Sequence, residues 1–333
     1  MNPDEAPTHD FRSQWNRRDL LRLALLGAPG IASAVPMFSS KPIPSAPSKP
    51  VEVSLCFFSK PLQKLSYPEL ADFCNRLNIK GVDLTVRPGG HVEPAQVRKD
   101  LPAAAKAIRA ANLTIPMITT GIVDAADPNT EPILATAAEL GIRFFKLGYY
   151  YYKQFQNLPE QVSHTRKQVE AIARLCEKYK LQAGFHNHSG PYVGSPLWDL
   201  WQLLQGVPEQ WIGSYFDPAH ATLEGGAAGW KLGLNLLLSR IKMVAVKDYR
   251  WRRQSENERS VPEFGPLGRG EVVWKEVFST LKAAPFSGPV SLHVEYTHLE
   301  DNSQKEQERL LTIAQRDLEF LRNQLKGAES SEG

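Results

Sequence analysis

From residue 51 onward, short apolar runs rich in β-branched and aromatic residues alternate with longer stretches whose apolar positions recur every three to four residues. The short runs predict strands over 51–58, 81–86, 114–119, 143–148, 181–187, 211–217, 241–247 and 289–296. The longer stretches predict helices near 67–78, 94–111, 129–140, 158–179, 195–205, 231–239 and 273–284. A last helix over 304–325 keeps Leu310, Ala314, Leu318, Leu321 and Leu325 on one face. Eight strand–helix units between residues 51 and 326 suit a closed (β/α)8 barrel, whose typical size is about 250 residues. A doubly wound open sheet would call for a glycine-rich turn after the first strand. Phe57-Phe58-Ser59-Lys60-Pro61-Leu62 stands there instead, so the barrel is the expected α/β fold.

The segments outside this pattern read differently. Asn16-Arg17-Arg18-Asp19-Leu20-Leu21-Arg22 precedes a modest apolar run ending in Ala32-Ser33-Ala34. A basic start, a short apolar stretch and small residues at a cut describe an export signal over 1–34. The arginine pair resembles a twin-arginine signal, which implies a periplasmic or secreted protein. Residues 35–50 are rich in proline and serine and read as a linker, residues 51–326 as the catalytic domain, and 327–333 as a polar tail.

Composition narrows the function classes. The chain of 333 residues carries 39 Lys+Arg and 36 Asp+Glu, a formal charge of +3. Residues 1–34 hold four arginines and four acids, so the balance survives their loss. That near-neutral balance argues against nucleic acid as the main partner. No run of about 18 apolar residues marks a membrane span. Cys56, Cys74 and Cys176 are few, odd in number and widely spaced, which excludes a disulfide framework and a CxxC metal pair. The sequence does not give an oligomeric state.

In a (β/α)8 barrel the chemistry sits at the C-terminal ends of the strands. The fifth predicted strand ends in His186-Asn187-His188, and alternation puts both imidazoles on one side, toward the mouth. The sixth ends in Asp217, with His220 three residues on and in reach of a substrate hydroxyl. A carboxylate after an apolar strand is costly unless it is paired, capping or bound to a cation. Lys247 ends the seventh strand and shares the parity of Ala245, which should point it inward. His293 and Glu295 share a face at the end of the eighth. These groups suit a divalent metal, Mn²⁺ or Zn²⁺, with His186, His188, Asp217 and Glu295 as ligands. Glu295, His186 and Lys247 are the expected catalytic groups. The aromatic run Tyr149 to Tyr152 offers ring faces to a sugar through Tyr150 and Tyr152. A long loop from Arg250 to Glu271 reads as a lid over the mouth, as a binder of an acidic group or as a plain solvated loop, with Arg250 and His293 also expected to touch substrate.

Several stretches resemble the xylose-isomerase-like barrels of the sugar phosphate isomerase/epimerase group. They include Gly81-Val82-Asp83-Leu84-Thr85-Val86-Arg87, His186-Asn187-His188-Ser189-Gly190, Phe216-Asp217-Pro218-Ala219-His220, Val246-Lys247-Asp248, Pro266-Leu267-Gly268-Arg269-Gly270 and Leu292-His293-Val294-Glu295-Tyr296. The resemblance covers roughly 51–325. It implies one divalent metal held by Glu, Asp, His and Glu on four successive strands, with the two Glu moving protons beside a carbonyl. Two positions depart from it: His186 stands for the first Glu and Ala245 for the His. The Lys247 ammonium, between Asp217 and Glu295, is one way to replace the missing cation. The resemblance implies an isomerase or epimerase, and the export signal points to an unphosphorylated carbohydrate or keto-sugar. A keto-glycoside lyase or hydratase at the same site, and a non-catalytic sugar-binding barrel, are the alternatives.

Overall fold

The computed structural model describes residues 53–327 apart from 254, 256–258 and 285. The export signal, the linker and the tail beyond 327 lie outside the described residues. Eight parallel strands close a barrel in the order β1 (Leu55–Phe58), β10 (Val290–Leu292), β7 (Ile241–Val246), β6 (Ile212–Phe216), β5 (Gln182–His186), β4 (Phe144–Lys146), β3 (Thr114–Thr120) and β2 (Gly81–Val86). Around them run α1 (Tyr67–Arg76), α2 (Val97–Ala110), α3 (Thr130–Glu139), α4 (Leu158–Tyr179), α5 (Leu197–Leu204), α6 (Pro218–Leu237), α7 (Trp274–Lys282) and α8 (Gln304–Gly327). No helix among the described residues is long and apolar enough to cross a membrane.

The expected strands and helices are present, most of them shortened by a residue or two at the ends. Two differences matter for the site. The sixth helix starts at Pro218, not near 231, because Asp217 caps it and Pro218 fits its first turn. The adjacent glycines let it kink at Gly226, whose φ of 55° interrupts the helical pattern. The expected lid loop is in part an antiparallel hairpin, β8 (Asp248–Arg252) with β9 (Val261–Gly265).

Two cores hold the domain. The larger lies between strands and helices; the smaller fills the barrel axis with Cys56, Met117, Tyr215, Met243 and Ala245. Gly184 has to be glycine here, since a Cβ would run into Met243 and Tyr215. The axis is thus packed solid below, and polar side chains accumulate only toward the C-terminal strand ends. Cys56, Cys74 and Cys176 are all buried free thiols.

Candidate active site

The mouth of the barrel encloses a cavity of about 130 Å³. Its centre is Lys247, the first residue past β7. Its Nζ lies 3.2 Å from Asp217 Oδ2 and 3.2 Å from Glu295 Oε2. Burial opposes the charge on Lys247, but the two carboxylates outweigh it and raise its pKa. Burial likewise opposes ionisation of Asp217 and Glu295, and Lys247 foremost holds both well below the usual carboxylate range. Glu295 also accepts from Lys60 at 2.8 Å and from His293 Nδ1 at 3.1 Å.

Asp217 is fixed by its backbone as well as its charge. Asn187 clamps it reciprocally, donating from Nδ2 to the Asp217 carbonyl at 3.0 Å and accepting the Asp217 N–H at 2.8 Å. The other carboxylate oxygen, Oδ1, accepts the N–H of His220 at 3.1 Å, the cap that starts α6.

The hydrogen bonds set the imidazole tautomers. His186 Nε2 lies 3.1 Å from Asp217 Oδ2, which can only accept, so the proton is on Nε2. Its Nδ1 accepts the Tyr149 hydroxyl at 3.3 Å. Burial pushes the His186 pKa down to about 3, so the ring is neutral. His293 has the opposite arrangement, with Nδ1 donating to Glu295 and Nε2 accepting the Tyr215 hydroxyl at 2.9 Å. His188 Nδ1 donates to the Ser189 carbonyl at 2.9 Å, which leaves its Nε2 lone pair free at the cavity wall. Burial lowers the His188 pKa too, and keeps that lone pair available near neutral pH.

The expected metal set is only partly assembled. The strand-7 position holds Ala245, a methyl in the axial core, and the Lys247 ammonium separates Glu295 from Asp217. His188 packs against His220 with ring centroids 4.0 Å apart, but it is not one of the donors that gather. Those are His186, Asp217 and His220, whose ligand atoms lie within 4.8 Å of one another. His220 Nε2 is buried and has no hydrogen-bond partner among the described residues, while its Nδ1 meets Ser189 Oγ at 2.8 Å. Two imidazoles and a carboxylate, with His220 Nε2 left unpartnered, fit a divalent ion of the Zn²⁺ or Mn²⁺ type provided that His186 carries its proton on Nδ1 instead of Nε2.

Of the expected substrate contacts, His293 lines the cavity and four other residues do not. His220 lies against Asp217 and is 1% exposed, because the first turn of α6 folds it under the mouth. Tyr150 stacks on Phe185 with ring centroids 5.4 Å apart and donates to the Val123 carbonyl, so it is part of the outer core. Tyr152 donates to Asp199 on α5. Arg250 is exposed and pairs with Glu263 across the hairpin at 2.8 Å. The hairpin still reaches the site through Phe264, whose ring lies 5.1 Å from Lys247 Nζ.

Residues outside the sequence expectation complete the walls. Tyr149, rather than its three neighbours, faces inward from the strand-4 loop, with Lys146 Nζ 3.5 Å from its ring centroid. Arg87 borders the cavity from the end of β2. Asp83 lies deeper, accepting hydroxyls from Thr119 and Ser291 at 2.8 Å each. Lys146 ends β4 and Arg87 follows β2, so position at a strand end is the signal that could have found them. Asp248 has a structural role: its carboxylate receives the Gly268 N–H and the Trp274 indole N–H at 3.0 Å each and pins the segment after β9.

A family model described as xylose isomerase-like TIM barrel matches residues 71–324. The chain belongs to that family. A comparison with curated proteins gives no match. Among solved structures, an L-ribulose 3-epimerase is similar at 14% identity, with a TM-score of 0.63, over 83% of this chain and 96% of its own. A 3-keto-D-glucoside 4-epimerase from E. coli is similar at 12% identity, with a TM-score of 0.58, over 79% and 99% of the two chains. A xylose isomerase-like barrel protein from Mycobacterium smegmatis, solved in complex with magnesium, shares 12% identity, with a TM-score of 0.60, over 79% and 89%. At such identities the likeness establishes the fold, and the chemistry has to come from the site.

Proposed function

We propose that the protein is a sugar isomerase or epimerase that moves a proton beside a carbonyl of its substrate. The observation that carries this reading is the Lys247 ammonium bridging Asp217 and Glu295 next to the free Nε2 of His188. A fixed positive charge beside a neutral base is what removal of a C–H proton next to a carbonyl requires. His188 takes the proton at Nε2. Lys247 stabilises the negative charge that develops on the carbonyl oxygen. Asp217 and Glu295 hold Lys247 charged and aimed, and both are poor bases because their own charges are so well stabilised. His186, expected to be catalytic, instead positions Tyr149 and Asp217, since both of its nitrogens are engaged. A divalent ion held by His186, Asp217 and His220, with the His186 proton moved from Nε2 to Nδ1 beside the Tyr149 hydroxyl, would add Lewis-acid polarisation of the carbonyl. Delivery of a proton to the opposite face of the same carbon gives an epimer; delivery to the former carbonyl carbon gives an isomer.

The similar structures include sugar epimerases, which supports a carbohydrate substrate. Export through the 1–34 segment is part of this proposal, and the N-terminal mass of the periplasmic protein tests it. The reaction is tested by incubating the full chain with a panel of ketoses and 3-keto-glucosides and separating the products by chromatography. A new isomer or epimer is expected with the parent and not with Lys247→Met. Products unchanged by that substitution would contradict the reading.

A further inference from the structure

The basic and acidic groups around the mouth are not matched in number. Four cations border the cavity: Lys60, Arg87, Lys146 and Lys247. The acids within reach are Glu295, Asp217 and the deeper Asp83, so four basic groups face three acids. The carboxylates are also already engaged. Asp217 and Glu295 take Lys247, and Glu295 takes Lys60 as well. Both oxygens of Asp83 accept hydroxyls.

Arg87 and Lys146 are left over. Neither makes an ion pair or a side-chain hydrogen bond among the described residues. Arg87 rests over the Phe58 ring at 5.9 Å, and Lys146 meets only the face of Tyr149. Lys146 is 4% exposed. A buried amine beside a guanidinium and without a counter-ion is held as an ammonium only with difficulty, and an anion bound between the two would supply the missing opposite charge. Guanidinium and ammonium together make a fork and a point charge, the pairing that binds carboxylate and phosphate oxygens.

We propose that the substrate carries an anionic group, a carboxylate or a phosphate, and that Arg87 and Lys146 bind it. This rests on the reading of the mouth as a carbohydrate site and names the class of carbohydrate. Arg87 and Lys146 come from β2 and β4, while His188 and Lys247 come from β5 and β7. The anionic group is therefore anchored on one side of the mouth and the carbonyl is presented to the other.

Titration calorimetry on the full chain tests this with D-glucuronate, D-glucose 6-phosphate and D-glucose at matched ionic strength. At least one anion should bind about tenfold or more tighter than D-glucose. The preferred anion tells carboxylate from phosphate. Arg87→Met and Lys146→Met should each remove most of that preference, and Lys146→Arg should keep it. Circular dichroism verifies that the variants fold, and Arg87→Lys, which keeps charge but loses the fork, should give an intermediate loss. Equal affinity for all three sugars, no binding by any of them, or anion binding untouched in both methionine variants would each overturn the inference. Turnover of neutral ketoses with no gain from an acidic group would overturn it too, while leaving the proposed reaction standing. Anion binding at Arg87 and Lys146 without turnover of any carbonyl sugar would do the reverse.

Discussion

Lys247→Met removes the charge at the centre of the site and keeps the stem. In the parent, one ammonium compensates two carboxylates of which Asp217 has no exposure and Glu295 is one-fifth exposed. Removing one partner of a buried ion pair costs about 3–5 kcal/mol, because the remaining charge stays buried. For a domain of this size that is a fall in Tm of about 6–20 °C. The pH dependence gives a second handle. Asp217 and Glu295 are depressed in the folded parent, so their contribution is present above their unfolded pKa of about 4 and is lost as pH falls through the folded values. Lys247 is raised, so its contribution is present below about 10.4 and is lost only at higher pH. Between pH 5 and 8 the parent network is therefore flat. In the variant the Asp217 carboxyl is buried without its cation and its pKa rises, so acid relieves the strain. Calorimetry on chelator-treated protein should show a deficit that is large at pH 8 and smaller at pH 5. Adding Asp217→Asn and Glu295→Gln should recover most of the loss. A Lys247→Met protein with the parent's Tm at both pH values would refute the compensation argument.

Burial and then Arg87 push the Lys146 pKa down to about 7 in the folded chain. Between pH 7 and about 10 the unfolded chain binds the extra proton, so parent stability should rise with pH, and Lys146→Met should be flat there and more stable at pH 7, as read by urea denaturation. His91 is pushed down to about 4 and His186 to about 3, both by burial. His188 and His220 are lowered by burial as well. As pH falls from about 6.5 toward 4, each such histidine should remove up to about 1.4 kcal/mol of stability per pH unit in metal-free protein, and His91→Gln should take only its own share, about 1.4 kcal/mol per unit, off the slope.

The fold was legible because strand alternation and helix periodicity are local. Eight apolar runs separated by amphipathic stretches leave little besides a closed barrel, and Lys247, His293 and Glu295 point inward by parity alone. The parts that were misread depend on capping and on side-chain direction in loops. Nothing in Tyr149-Tyr150-Tyr151-Tyr152 tells which ring turns inward; the stacking of Tyr150 on Phe185 and the Tyr152–Asp199 bond decide it. His220 reads from sequence as in reach of a substrate hydroxyl; the Asp217 cap starts α6 at once and buries the ring beside Asp217. The Arg250 segment looked like a lid because its charges obscured the strand pairing that Glu263 stitches together. The surplus of basic groups at Arg87 and Lys146 needs four strand ends brought to one place, which no local pattern shows.

The most direct measurement is deuterium wash-in. The full chain is incubated in D₂O with a keto-sugar that it turns over, and label at the carbon beside the carbonyl is read by NMR for the parent, for His188→Gln and for Lys247→Met. The account predicts label in recovered substrate or product with the parent, and exchange reduced at least about a hundredfold in both variants. Turnover without any label in substrate or product, or parent-like exchange in both variants, would contradict it.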